Sequence, residues 1–196
     1  MVRASPAKLT LWSLLALPAA VILLQSLAGT MPADQLAPTG EWSARMIIFA
    51  LMLTPLVKIF PASPTLRGLL RYRRAFGVAG FAYALLHLIF YVLDMATVAE
   101  MIGEFSAPAI WTAWLAFLCL LPPAIASNDA AMRWLGRRWK TIQRLAYPAA
   151  LLTLVHWILV HDGMAEALFH FAPLAILRLA SITRLRSPKP LKRKIV

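Results

Sequence analysis

Cysteine occurs once in the 196 residues, as Cys119 within an apolar stretch. One thiol excludes an intrachain disulfide, a Cys-x-x-Cys-His attachment and a thiolate cluster, so any prosthetic group is held without a covalent link. Acidic residues are scarce too, 8 Asp and Glu against 20 Lys and Arg, and charged residues make up only 14% of the chain. Set beside 61% hydrophobic residues, that scarcity excludes an ordinary soluble domain. The formal net charge of +12 would suggest nucleic acid in a soluble protein, but here the basic residues flank apolar runs, so no nucleic-acid partner is expected. Gly-rich phosphate loops, a dinucleotide fingerprint, a nucleophile elbow and an acid pair inside an apolar run are all missing. The chain is therefore not by itself an NAD(P)H-driven reductase, and it must take electrons from elsewhere in any redox role.

What is present is apolar length. The stretches Leu9–Ala28, Ala44–Phe60, Ala75–Leu93, Ala107–Ala126, Leu145–Val160 and Ala165–Ser181 predict six transmembrane helices of an all-α integral membrane protein. The first resembles a signal peptide at its start but is longer than the roughly 7 to 15 apolar residues of a cleaved signal, and is read as a retained span. Pro55 predicts a kink in the second span, and Pro122-Pro123 an end to the fourth. Lys and Arg gather at the N-terminus, at Arg67 to Arg74, at Arg133 to Arg144 and after span six, while the opposite loops carry Asp34, Glu41, Asp94, Glu100, Glu104, Asp162 and Glu166. By the positive-inside rule both termini are cytoplasmic. Residues 1–8 are then a cytoplasmic N-terminus, 9–183 the membrane domain, and 184–196 a basic cytoplasmic tail suited to anionic membrane lipid.

Two histidines lie inside these spans, where an ionisable side chain is a functional candidate. His87 follows Arg74 by 13 residues and His156 follows Arg144 by 12, which at 1.5 Å per helical residue puts both roughly 18 to 20 Å in. The even alternation of spans makes helices three and five parallel, so the imidazoles share one depth, nearer the outer side. If these two helices pack together, the pair can present two nitrogens across a gap, a setting that suits a haem iron with His87 and His156 as axial ligands. Small residues three and seven positions earlier, Ala84 and Gly80 on one helix, Thr153 and Ala149 on the other, leave room for a flat macrocycle. The same pattern serves plain helix packing, and a structural or proton-handling histidine pair remains the alternative. His170 and His161 lie near an interface and fit solvent or backbone hydrogen bonding better than iron. Tyr83 and Tyr91 stand one turn either side of His87 as second-rank neighbours of a macrocycle. Trp12, Trp42, Trp111, Trp134 and Trp139 suit interfacial anchoring.

Several segments carry a family resemblance in order: Thr39-Gly40-Glu41-Trp42, Leu53-Thr54-Pro55-Leu56, Arg73-Arg74 with Gly77, Tyr83, Leu86-His87 and Tyr91, then Leu135-Gly136, Trp139-Lys140, Arg144-Leu145, Tyr147 and His156. Over about residues 39–160 the sequence resembles the haem-binding membrane subunits of the bacterial methionine-sulfoxide reductase system, the MsrQ or YedZ type, within the ferric-reductase-like transmembrane superfamily. The resemblance implies an inner-membrane, multi-pass electron-transfer subunit with haem b, and FMN as a further candidate cofactor. It would carry electrons from the quinone pool or a cytoplasmic flavin reductase to a periplasmic molybdopterin reductase that repairs oxidised proteins. No substrate-reducing site of its own is expected. Members of that family have a further histidine thirteen residues before the one matched by His156, where this sequence has Gln143, a poor iron ligand; one haem per chain is therefore expected. A ferric reductase-type protein with the same site is the nearest alternative, and a haem-free transporter or assembly factor the more distant one.

Overall fold

Proline sets where several helices begin. It opens α2 (Pro32–Ile59), α3 (Pro64–Leu70) and α6 (Pro108–Ile125), a position where its missing N–H costs nothing and its fixed φ is already helical; the described part of α1 is Pro6–Leu27. Three short helices start on side-chain caps: Ser63 Oγ accepts from Leu66 N–H at α3, Thr97 Oγ1 from Glu100 N–H at α5 (Val98–Glu104), and Asn128 Oδ1 from Ala131 N–H at α7 (Asp129–Leu135). Gly136, at φ +50, takes the left-handed turn between α7 and α8 (Arg137–Gln143). The remaining helices are α4 (Arg73–Asp94), α9 (Ala146–His161) and α10 (Met164–Arg186). The computed structural model describes residues 6–95, 97–161 and 164–186; the side chain of His161, Asp162 and the tail from 187 onward lie outside the described residues.

Among the described residues, six helical segments are long and apolar enough to cross a membrane: α1, α2, α4, α6, the joined α8–α9 segment Arg137–Val160, and α10. The count agrees with the sequence, but α2 begins at Pro32 instead of near Ala44. Hydropathy misses its first turns because Gln35, Thr39 and Ser43 are polar, yet all three are buried in the bundle. Thr39 and Ser43 are tolerated there because their hydroxyls close on backbone carbonyls, Thr39 Oγ1 on Gln35 O at 2.6 Å and Ser43 Oγ on Gly80 O at 2.9 Å, while the buried Gln35 Oε1 meets no donor among the described residues. Glu41, expected in a loop, is consequently within α2, where Arg45 Nη2 donates to its Oε2 at 2.5 Å one turn on. Nor do Pro122 and Pro123 end α6, which continues to Ile125. Each proline removes only its own N–H, and Ala126 N–H still closes on Pro122 O at 3.0 Å. Helix α2 likewise runs through Pro55 to Ile59.

Helix α2 is the hub, packed against α4, α10, α1 and α9, while α6 packs against α9. Ala44, Ile47, Ile48 and Leu51 of α2 form the core with Leu120, Ala149, Ala150, Trp157 and Phe171. Gly80 lets α4 approach closely, since a β-carbon there would stand 2.7 Å from Ile47 Cγ1. Large apolar side chains such as Leu24, Leu151 and Leu179 point outward, at 65%, 62% and 65% exposure, as a lipid-facing surface requires.

Helix directions follow from which segments meet. The early turns of α2 and α6 join the late turns of α4 and α9 around one cavity, and the late turns of α2 and α6 join the early turns of α4 and α9 around another. Helices α4 and α9 therefore run parallel, as the alternation of spans required. They do not form the main contact with each other, however. Helix α4 packs on α2 and α9 on α6, so the two histidine-bearing helices face across a gap between those pairs.

Candidate functional site

The first cavity, of about 470 Å³, opens among α2, α4, α6 and α9 at an acidic end of the bundle, where Glu41, Asp94 and Glu104 line it. That volume is within the usual 300 to 1,000 Å³ or so of ligand sites. His87 of α4 and His156 of α9 both line it, with ring centroids 6.2 Å apart and planes at 77°. His87 Nδ1–H donates to Leu36 O at 2.9 Å and lies 3.2 Å from Thr39 Oγ1. His156 Nδ1–H donates to Ala109 O at 2.8 Å. A carbonyl can only accept, so both rings carry the Nδ1–H tautomer with the lone pair on Nε2, and both are oriented by backbone that does not titrate.

This arrangement can hold one metal centre. Imidazoles bound to a common metal at roughly 2 Å per nitrogen place their ring centres roughly 6 Å apart when the nitrogens face each other. Among the described residues no third His, Cys, Asp or Glu completes a metal-binding group with the pair. Two ligands are too few for a protein-held tetrahedral ion and are the number a macrocycle-held iron needs at its axial positions. The cavity walls are small or apolar, among them Ala84, Leu88, Ile110, Phe117 and Val160. Its carboxylates are partly engaged: Tyr91 OH donates to Glu104 Oε2 at 3.0 Å, and Glu41 accepts from Arg45.

Ala84 and Thr153 line this cavity, but Gly80 and Ala149 do not. A seven-residue step moves about 10 Å along a helix axis, which carries both positions out of the cavity into the closed middle of the bundle. There Gly80 abuts α2, and Ala149, at 0% exposure, belongs to the core. Tyr83 is not in the cavity lining either. It reaches α1, where its hydroxyl accepts from Ala19 N–H at 3.0 Å and donates to Leu15 O at 2.7 Å. Tyr91 does line the cavity. His170 donates from Nδ1–H to Glu166 O at 2.9 Å and stacks on Trp157, with centroids 4.9 Å apart; it does not line the cavity. Unforeseen were the parts supplied by α2 and α6: Leu36 and Ala109 orient the rings, and Gly40 lies under His87. The adjoining residues Thr39-Gly40 carried a signal, since a Thr-Gly pair two turns into a proline-initiated helix offers a hydroxyl and a bare backbone to a neighbour.

The family of the ferric reductase like transmembrane component matches residues 10–154. The chain belongs to this family. Within it the chain is of the MsrQ type: the protein-methionine-sulfoxide reductase heme-binding subunits MsrQ of Brucella ovis, Brucella canis and Brucella suis are each 34% identical to it over 160 residues, covering 77% of this chain and 69% of each relative. No solved structure matches the chain significantly.

The second cavity of this ferric-reductase-like bundle, about 600 Å³, lies at the opposite, basic end, among Arg71, Arg73, Arg74 and Lys140. Gln143 lines it and donates from Nε2 to Pro123 O at 3.0 Å, so the amide ties the start of the fifth span to the end of α6. Arg74 donates to Asp129 Oδ1 at 2.7 Å, and the guanidinium holds that carboxyl below its ordinary value.

Proposed function

We propose that the chain is a b-type haem subunit of the bacterial inner membrane, with His87 and His156 as axial ligands between α4 and α9, that passes electrons to a periplasmic methionine-sulfoxide reductase. The observation that carries this reading is the pair of imidazoles lining one cavity with ring centroids 6.2 Å apart, each tied at Nδ1 to a backbone carbonyl. The heme-binding name of the MsrQ relatives supports the choice of cofactor. Bound haem supplies reversible one-electron exchange. The protein's part is to fix both tautomers through Leu36 O and Ala109 O, to accommodate a flat ring beside Ala84 and Thr153, and to keep water from it with apolar walls.

The basic end is cytoplasmic by the positive-inside rule, with both termini there, so the histidine pair lies toward the periplasm. Electrons enter from the quinone pool or a cytoplasmic flavin reductase, with FMN as a candidate intermediate carrier, and leave to a molybdopterin reductase subunit. Gln143 at the basic end supports one haem per chain. The family's description as a ferric reductase component favours a second reading, delivery of the same electrons to ferric iron.

The test is a visible spectrum of the purified, folded protein, followed by reoxidation of the reduced form. Low-spin b-type bands with reoxidation by the sulfoxide reductase support the first reading, and reoxidation by a ferric chelate alone supports the second. A colourless folded preparation after haem supplementation overturns both.

A further inference from the structure

The cavity at the basic end has a charge pattern that the histidine pair does not use. Among the described residues, seven that line it are Lys or Arg and none is Asp or Glu, whereas those lining the histidine cavity include three carboxylates and no Lys or Arg. One of the seven, Arg74, is matched by Asp129. Of the others, Arg73 and Arg178 are half-buried and held in place. Arg73 Nη1–H donates to Thr54 Oγ1 at 3.0 Å, and the Arg178 guanidinium lies 4.6 Å from the centre of the Tyr147 ring. Arg144 and Lys140 approach from the start of the fifth span, and Ile47, Leu51 and Leu120 supply apolar walls.

Like charges gathered around a hollow with apolar walls repel one another through a medium of low dielectric, and an anion among them relieves that repulsion. Guanidinium forks match phosphate oxygens in pairs, so the arginines suit a phosphate better than a simple halide. A cationic rim over an apolar floor further suits an amphiphile, and basic hollows between membrane helices are settings for anionic headgroups.

We propose that this cavity binds a phosphate group, held among Arg73, Arg144 and Arg178, whose attached apolar portion lies against Leu51 and Leu120. The inference does not depend on haem at the other end. An anionic phospholipid and a soluble phosphate ester present the same group.

The full chain is placed in nanodiscs of phosphatidylcholine with and without phosphatidylglycerol, and retained lipid is counted by native mass spectrometry. In parallel, inorganic pyrophosphate is titrated against the protein in neutral detergent while helix melting is followed. Preferential retention of phosphatidylglycerol assigns the group to lipid, and a pyrophosphate-dependent rise in Tm assigns it to a soluble ester. In either case Arg73→Gln and Arg178→Gln should each weaken the effect about tenfold, the size expected for a charge-assisted hydrogen bond. Arg137→Gln, an exposed cation outside the cavity, should leave it unchanged. Should Arg73→Gln fail to fold, Arg178→Lys keeps the charge without the fork and should still bind several-fold more weakly. Equal retention of both lipids with no pyrophosphate effect, or an equal loss in Arg137→Gln, overturns the proposal.

Discussion

The ring of His87 rests on the bare backbone of Gly40: a β-carbon at position 40 would stand 3.3 Å from both Cε1 and Nδ1 of the imidazole. Alanine there would add about 1 kcal/mol of helix propensity while pushing the ring by a few tenths of an ångström. Gly40→Ala should therefore change stability by less than about 1 kcal/mol yet alter the haem spectrum or loosen haem, and Gly40→Val should lose most of it. Tm and the haem-to-protein ratio of the two variants decide the matter. A normal spectrum in Gly40→Val would detach Gly40 from the site.

The ligand assignment predicts a sharp contrast among the histidines. His87→Ala and His156→Ala should each abolish stable low-spin haem, and His170→Ala, stacked on Trp157 outside the cavity, should keep it. Visible and magnetic circular dichroism spectra of folded variants provide the check.

Gln143→Ala removes the amide hydrogen bond to Pro123 O at 3.0 Å. It should lower stability by about 1 kcal/mol and leave the spectrum unchanged, with about one haem per chain. A ratio near two, or haem loss in this variant, would reveal an inner site with other ligands.

At Gly80 any side chain meets Ile47. Gly80→Ala should destabilise by about 1 to 3 kcal/mol through overpacking, and Gly80→Leu should prevent α4 from seating on α2. Denaturation in mild detergent measures both.

The Arg74–Asp129 pair gives a pH signature. The carboxyl of Asp129 is held below its ordinary value by the guanidinium, so the pair's contribution is present above the unfolded-state value and is lost as pH falls through the folded-state value. Wild type and Asp129→Asn should thus differ slightly in Tm at pH 7 and converge at strongly acidic pH; the pair is exposed, so the difference is small. A gap that widens on acidification would contradict the sign.

Much of this architecture was legible because lipid enforces it. Apolar runs of about 20 residues and the alternation of basic and acidic loops gave six spans and the parallel course of α4 and α9. The shared depth of His87 and His156 came from counting alone. What hydropathy could not show was a polar helix segment made tolerable by packing: Gln35, Thr39 and Ser43 read as loop, so the first turns of α2, with Leu36 and Gly40, went unassigned. Helical spacing also treated Gly80 and Ala84 as equivalent neighbours of His87. Ala84 lines the cavity whereas Gly80 abuts Ile47 of α2, and only a three-dimensional packing distinguishes them.

The hydroxyl of Tyr83 occupies the place in α1 where Ala19 N–H would meet Leu15 O, one residue beyond Pro18. Helix α1 is otherwise the least buried of the six long segments, so this rivet fixes it to the bundle. Tyr83 is synthesised 64 residues after Ala19, which at about 5 to 20 residues per second is a delay of roughly 3 to 13 seconds. The first helix to enter the membrane accordingly gains this tie only after α4 arrives, in addition to its packing on α2, and Tyr83→Phe should leave α1 inserted but more loosely held, more open to protease or crosslinker from its lipid side.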